Sequence, residues 1–456
     1  MQEFRRQRLL CVSFTISLMP FFATPSAHAE IFTLQEALAL AYETNPRLEA
    51  ERAQLRATDE EVAKALSGWR PNLGLSGSYG YTANEVNTFG LSIPEGHPRD
   101  VTVTLTQPLF TGQTIPQTRQ ANALVRAGRF QLTSVEQLVL FNAARAYFDV
   151  IADEAVLAFR RENVMLLSGQ LSMTQERVNV GDITVTDLQL VQARLASANA
   201  DVATAEARLA ASRAEFERAI GRPPESLEAM PALPPLPEGQ LQATTLAIEN
   251  NPDLNTAREQ ARVADAAVDV ATGALLPSLS VEGQYRKSRD QVGVGVFLES
   301  TSVVAQLRVP LYQGGVEYAG VRQAKQSRSK AVYTISDIER QVRQTLAASW
   351  QATIAARTTM VLHEQQVDAS RLAYEGFAEG VRAGERSTYD LLNSALELLS
   401  AQIALVEARR LNSISTFELT VAEGGLTARA LNLPVMLYDP QLYYDRNAGR
   451  WFGLGD

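Results

Sequence analysis

The stretches "QPLFTGQ" at residues 107–113 and "VPLYQGG" at residues 309–315 decide the fold. Each closes a run of alternating residues and opens a very long helical one. They lie 202 positions apart and share a proline, a Leu-aromatic pair and a glycine. Proline lacks an N–H, so Pro108 and Pro310 are expected to end a strand ladder. Gly112 and Gly314 are expected to free the backbone for the turn from strand to helix. The pairs Leu109–Phe110 and Leu311–Tyr312 suit a boundary between an apolar medium and water.

The same doubling extends outward. "NPRLEAERAQL" begins at Asn45 and "NPDLNTAREQA" at Asn251, an offset of 206 that also relates Pro71 to Pro277 and Tyr79 to Tyr285. "VNVGDITVTDL" at residues 178–188 pairs with "VRAGERSTYDL" at residues 381–391, an offset of 203. Three ordered matches mean that a unit of about two hundred residues is duplicated. The first repeat is assigned to residues 30–220 and the second to residues 245–425. The proline-rich stretch 221–244 links them, and residues 426–456 form an irregular, aromatic C-terminal segment.

Each repeat predicts a helix, two strands, a long helix, a short break and a returning helix. Asn45 or Thr44 can cap the first helix, with Pro46 in its first turn. Leu73, Leu75, Tyr79 and Tyr81 alternate with Gly74, Ser76, Ser78 and Gly80. Val101, Val103 and Leu105 alternate with threonines; Leu279, Val281 and Tyr285 oppose Ser278, Ser280, Glu282 and Gln284. The fourth run is Val303, Ala305, Leu307 and Val309. Period two with one apolar face is a half-buried strand.

A soluble sandwich would need a second sheet, and none is encoded nearby. Strands of this length, with tyrosines toward one end, instead match a transmembrane β-barrel. Four strands cannot close one, and open edges cannot face lipid. Several chains must therefore share the barrel. Residues 113–179 and 316–382 each span 67 positions, free of proline except Pro116. As helices they reach roughly 100 Å. Stripes such as Val135, Leu138, Val139, Ala146 and Val150, and Ile335, Ile338, Val342, Leu346 and Trp350, have helical spacing. Such length implies a coiled-coil assembly, with each helix turning back at a glycine, Gly181 or Gly384.

Residues 1–29 read as a secretory signal: Arg5, Arg6 and Arg8, an apolar run at 9–22, then "AHA" before Glu30. Its Cys11 is the chain's one cysteine, so the mature part has no disulfide or thiol. Taking the signal's net +2 (three Arg, Glu3) from the formal −9 leaves −11, which argues against a nucleic-acid binder. After the signal no apolar run approaches 18 residues, so no membrane-spanning helix is expected. The three histidines, His28, His97 and His363, are scattered, and no nucleophile–base constellation appears. "GVGVF" at residues 293–297 reads as an external loop, not a phosphate cradle. No enzyme, metal or cofactor is indicated.

These features together resemble the TolC family of outer-membrane efflux and secretion channels. The resemblance is carried by "NPRL" and "NPDL", by "QPLFTG" and "VPLYQGG", and by the tips "VGDITVTDL" and "AGERSTYDLLN". The ending "LPVMLYDPQLYY" is similar to the branch that serves type I secretion. The resemblance implies an α+β membrane protein, a homotrimer whose twelve strands form one barrel in outer-membrane lipid. A periplasmic α-helical coiled-coil tunnel would continue it. It implies a periplasmic adaptor (membrane fusion) protein and an inner-membrane transporter of ABC or RND type as partners.

At the tip, the resemblance implies that Arg386 links the two hairpins through Thr186 and Asp187. It also implies that Asp390 contributes to an acidic ring. Asn393 stands where the family has a second aspartate, and Val381 where it has a tyrosine. Threefold-repeated carboxylates in a narrow pore would favour cations. Alternatively, Asp187 and Asp390 are simply N-caps of the returning helices. A periplasmic adaptor with its own helical hairpin is the competing reading of the whole chain, but adaptors have one hairpin between soluble β-domains.

Overall fold

The computed structural model describes residues 32–83, 95–229, 231–291 and 294–454. The expected signal at 1–29, with Cys11, and Gly293 of the "GVGVF" stretch lie outside these residues.

The duplication is visible element by element. The first half runs α1 (Leu34–Thr44), α2 (Pro46–Leu66), β1 (Asn72–Tyr79), β2 (Arg99–Phe110), α3 (Thr114–Asn179) and α4 (Val185–Ile220). The second runs α5 (Gln240–Asn250), α6 (Pro252–Gly273), β3 (Ser278–Arg289), β4 (Phe297–Arg308), α7 (Val316–Arg382) and α8 (Thr388–Ala422). Asn45 and Asn251 each accept backbone N–H bonds as N-caps, with Pro46 and Pro252 at the first helical position. The same residues end α1 and α5, so the Asn-Pro pairs are corners between two helices. α5 begins inside the stretch expected to be linker.

The four strands form one antiparallel sheet in the order β1-β2-β3-β4. β2 and β3 pair across the repeats, with Val103 opposite Tyr285. One face carries the apolar set and is open, with Leu75 75% and Val303 74% exposed. The other carries Thr102 and Ser288, both buried. β1 and β4 each have one edge without a strand partner among the described residues.

The two junctions are built differently. Pro310 lies past the end of β4 at Arg308, as expected. Pro108 does not end its strand: β2 continues to Phe110, with Pro108 opposite Ser280 and a bulge before Phe110. The β1 side of the ladder has already stopped at Thr106, so the missing N–H is tolerated while β3 holds the strand. Gly314 (φ +69°) and Gly315 (φ +85°) make the expected left-handed turn. Gly112 does not have a positive φ. It is small for another reason: a Cβ there would stand 2.5 Å from the carbonyl oxygen of Gly273.

The main core lies where both repeats meet below the sheet. Tyr147, Phe148, Phe216, Phe417 and Phe32 pack there with alanines of α3. The Tyr147 hydroxyl donates to the Phe32 carbonyl (2.8 Å) and accepts from the Glu228 N–H (2.9 Å). The C-terminal segment is not wholly irregular. It contains α9 (Gln441–Asn447) and straps α2 and α3, with Tyr443 donating to Glu60 and Tyr444 to Asn122. α8 is long and apolar enough to cross a membrane by composition, against the expectation of none. Its apolar side chains, such as Leu392, Leu399 and Phe417, are instead buried in helix packing.

Candidate gate at the helical tips

α3 and α7 extend away from the sheet and each ends in the same cap. At the first, the Gly181 N–H bonds to the Val178 carbonyl and the Asp182 N–H to the Arg177 carbonyl. At the second, Gly384 bonds to Val381 and Glu385 to Gly380. This paired closure requires a left-handed residue between, and Gly181 (φ +79°) and Gly384 (φ +74°) supply it. Val381 thus serves the turn through its carbonyl, whatever its side chain.

The returning helices begin with capping boxes. Thr184 and Ser387 are the N-caps, and Asp187 and Asp390 occupy the third helical position. One Asp187 oxygen accepts from the Thr184 N–H (3.1 Å) and hydroxyl (2.8 Å). Asp390 accepts likewise from Ser387, at 3.3 and 2.8 Å. The aspartates are therefore not N-caps themselves but their reciprocal partners. A carboxylate at a helix N-terminus also suits the macrodipole. Thr186 is exposed on the first turn of α4.

Arg386 lies back on its own hairpin. Its guanidinium stands 5.4 Å from the Phe377 ring centroid, and its Cγ covers Gly380 so closely that a Cβ there would come within 2.7 Å. Within one chain it does not bond Thr186 or Asp187. The hairpins are joined instead by a residue the sequence reading passed over. Arg194 of α4 donates to the Asn393 side-chain oxygen of α8 at 2.8 Å and lies 5.3 Å from the Tyr389 ring centroid. Leu392 packs beside them against Leu167, Val191 and Ala198. An arginine on an alanine-rich helix carries no periodic signal, so only the packing of two distant segments reveals it. A groove of about 520 Å³ between α7 and α8 is lined by Phe377, Asp390, Asn393 and Glu397, among others.

Farther from the tip a second polar cluster joins the hairpins. Arg410 of α8 bonds Asp149 of α3 (2.6 Å) and Glu407 (2.9 Å), while Arg208 of α4 bonds Glu407 (2.8 Å) and forms an ion pair with Asp153 (2.7 Å). Burial pushes the Glu407 carboxyl up, yet the Arg410 and Arg208 guanidiniums outweigh it and hold it below its ordinary value. Burial pushes Asp153 up, only partly offset by Ser212 and Arg208. Among the described residues no group of His, Cys, Asp and Glu could hold a metal ion.

The comparisons with known proteins agree with this architecture. A family model described as "Outer membrane efflux protein" matches residues 37–222 and 244–425. The chain is 30% identical to the outer membrane efflux protein BepC of Brucella suis biovar 1, over 92% of both chains. It is 27% identical to the alkaline protease secretion protein AprF of Pseudomonas aeruginosa, over 81% of this chain and 80% of that one. Among solved structures, the CmeC outer membrane channel of Campylobacter jejuni superposes with a TM-score of 0.75 at 16% identity, over 91% of this chain and 89% of that one.

Proposed function

The chain belongs to the outer membrane efflux protein family, and on that premise we propose that three copies form one exit duct. It runs through a twelve-stranded barrel in the outer membrane into a periplasmic tunnel of helices. The observation that carries this reading is the sheet: four strands, apolar on one face, with the edges of β1 and β4 unpaired among the described residues. Lipid offers no hydrogen bonds to those edges, so each must pair with another copy. Three chains of four strands give a barrel within the known size range.

The duct is passive. An inner-membrane transporter of ABC or RND type supplies the energy, and a periplasmic adaptor (membrane fusion) protein connects the two. The names of BepC and AprF refer to efflux and to protease secretion. Both tasks use the same conduit, so the transporter selects the cargo. The tips are the gate. Arg386, Thr186 and Asp187 face one another when three copies pack, and Asp390 with Asn393 lines the narrowest point. Gly181 and Gly384 set the turns.

The test is the native mass and conductance of the full chain extracted from outer membranes in detergent. A trimer that inserts into planar bilayers as an ion channel is the expected result. A protein released without detergent, or a monomer that conducts nothing, overturns the reading.

A further inference from the structure

The outward face of the sheet changes chemistry along its length. Residues two apart share a face, so the register places each row across all four strands. Nearest the helices the row holds Leu279 and Leu307. Farther out come Leu73, Leu105, Gly283 and Val303, and then Leu75, Val103, Tyr285 and Thr301. The next row is Gly77, Val101, Lys287 and Glu299, and the last is Tyr79, Arg99, Arg289 and Phe297. Three cations thus stand on the lipid-facing side, at the end farthest from the helices, above an apolar band.

Their surroundings leave them free for an outside partner. Arg99, Lys287 and Arg289 are exposed. None forms an ion pair among the described residues, and Lys287 rests 5.1 Å from the Phe297 ring centroid. Glu299, opposite Lys287, accepts the Tyr285 hydroxyl at 2.7 Å. Asp100 turns to the other face, where it accepts from Ser78, from Thr102 (3.3 Å) and from Gln291 (3.2 Å). Arg99 and Arg289 lie on the two inner strands, away from the edges that meet other copies.

The height also fits. From Leu279 to Arg289 is ten steps, about 34 Å along the strand. A barrel tilt of about 40° reduces this to about 25 Å, the height of the apolar band of an outer-membrane barrel. The guanidiniums therefore emerge at the level of the outer-leaflet headgroups. Tyr79 and Phe297 flank them as interfacial aromatics.

We propose that Arg99, Lys287 and Arg289 bind the phosphate groups of phosphorylated glycolipid in the outer leaflet, one site per chain. Guanidinium forks match phosphate oxygens in pairs, and the ammonium adds a point charge. The Leu and Val rows below receive the acyl chains of the same molecule. The site rests on the outer-membrane placement of the barrel and on nothing at the helical tips.

The experiment uses the full-length trimer in detergent and counts bound lipid by native mass spectrometry. The probes are a diphosphorylated, acylated glucosamine disaccharide, the same lipid with its phosphates removed, and phosphatidylglycerol. At about a factor of five per cation, the dephosphorylated lipid is expected to bind about a hundredfold more weakly. The triple variant R99Q/K287Q/R289Q should bind both forms at that weak level. Arg286→Gln, on the opposite face of β3, should bind like the unaltered protein. Should the triple variant not assemble, Arg99→Gln and Arg289→Gln singly are each expected to weaken binding about fivefold. Equal binding of phosphorylated and dephosphorylated lipid, equal binding of phosphatidylglycerol, or displacement by inorganic phosphate overturns the proposal. A chain that runs as a monomer before lipid is added counts instead against the shared barrel.

Discussion

Arg194 and Asn393, 199 positions apart, are joined by a 2.8 Å hydrogen bond that ties the returning helix of one hairpin to that of the other. The guanidinium also faces Tyr389, so one side chain holds two groups of α8. It sits over the apolar contact of Leu392 with Val191 and Leu167. Opening the tip by separating the hairpins must break this clip. A neutral-acceptor hydrogen bond and an exposed cation–π contact together contribute on the order of 1–2 kcal/mol. Arg194→Ala is therefore expected to raise the open fraction of the reconstituted channel roughly tenfold. Asn393→Asp, which adds an opposite charge and turns the bond into an ion pair, should lower it. Single-channel recordings that show the same open fraction for all three proteins would remove the clip from the gating account.

Asp390 performs a capping task that complicates its reading as a pore charge. Asp390→Ala would remove both roles at once. Asp390→Asn keeps a side-chain oxygen for the Ser387 N–H and hydroxyl while deleting the charge. If a ring of carboxylates sets ion preference, the asparagine variant loses cation selectivity and block by multivalent cations, with little change in helix stability. If selectivity survives in Asp390→Asn, the aspartate is the capping-box partner of Ser387 and no more.

The repeat, the strand faces and the two long helices, of 66 and 67 residues, were legible because periodicity and self-similarity are local properties of the chain. Gly181 and Gly384 were legible for the same reason: a helix that stops and reverses needs a left-handed residue. The clip was not, because Arg194 and Asn393 belong to different repeats and neither position is unusual on its own helix. Gly112 was read for the wrong property. Its likeness to Gly314 suggested a turn, whereas the packing of α6 against the junction makes the demand. Pro108 misled similarly: whether a proline ends a strand depends on which neighbour still pairs with it. The Asn-Pro corners were read as helix starts, without the helices α1 and α5 that precede them. Arg386 remains an expectation at the trimer level, since within one chain it stacks on Phe377.

Asp59 should make stability fall as pH rises toward neutrality. It is 2% exposed, and neither carboxylate oxygen has a hydrogen-bond partner among the described residues. Burial raises its pKa to about 6, against the pull of Arg129. The folded chain thus holds this proton more tightly than the unfolded chain, whose carboxyl titrates at about 4. The proton's stabilising contribution is present below about pH 4 and is lost as pH rises through about 6. Asp59→Asn is expected to stabilise the protein by on the order of 1–3 kcal/mol near pH 7 and by little near pH 4. Unfolding of the detergent-solubilised protein at the two pH values measures the difference. An equal effect at both would mean that the folded chain holds the Asp59 proton no more tightly than the unfolded chain does.

Gly112 and Gly314 occupy matching places, yet substitution should separate them. At Gly314 an added Cβ meets no atom within 4 Å, and the cost is that of a left-handed alanine, about 1–2 kcal/mol. At Gly112 the Cβ would meet the Gly273 carbonyl oxygen at 2.5 Å and the Leu276 side chain at 2.8 Å. A backbone oxygen cannot rotate away, so strand end and helix end must move apart. Gly112→Ala should therefore cost more than the about 1–3 kcal/mol of ordinary overpacking and reduce the yield of trimer in the outer membrane. Gly273→Ala strikes the same contact from the other side, its Cβ running into the Gly112 carbonyl oxygen. Once either substitution has parted the two backbones, the other meets less resistance. The double variant should be less destabilised than the two single effects added together. Strict additivity would show that the two glycines answer to separate constraints, and that the junction does not depend on their mutual approach.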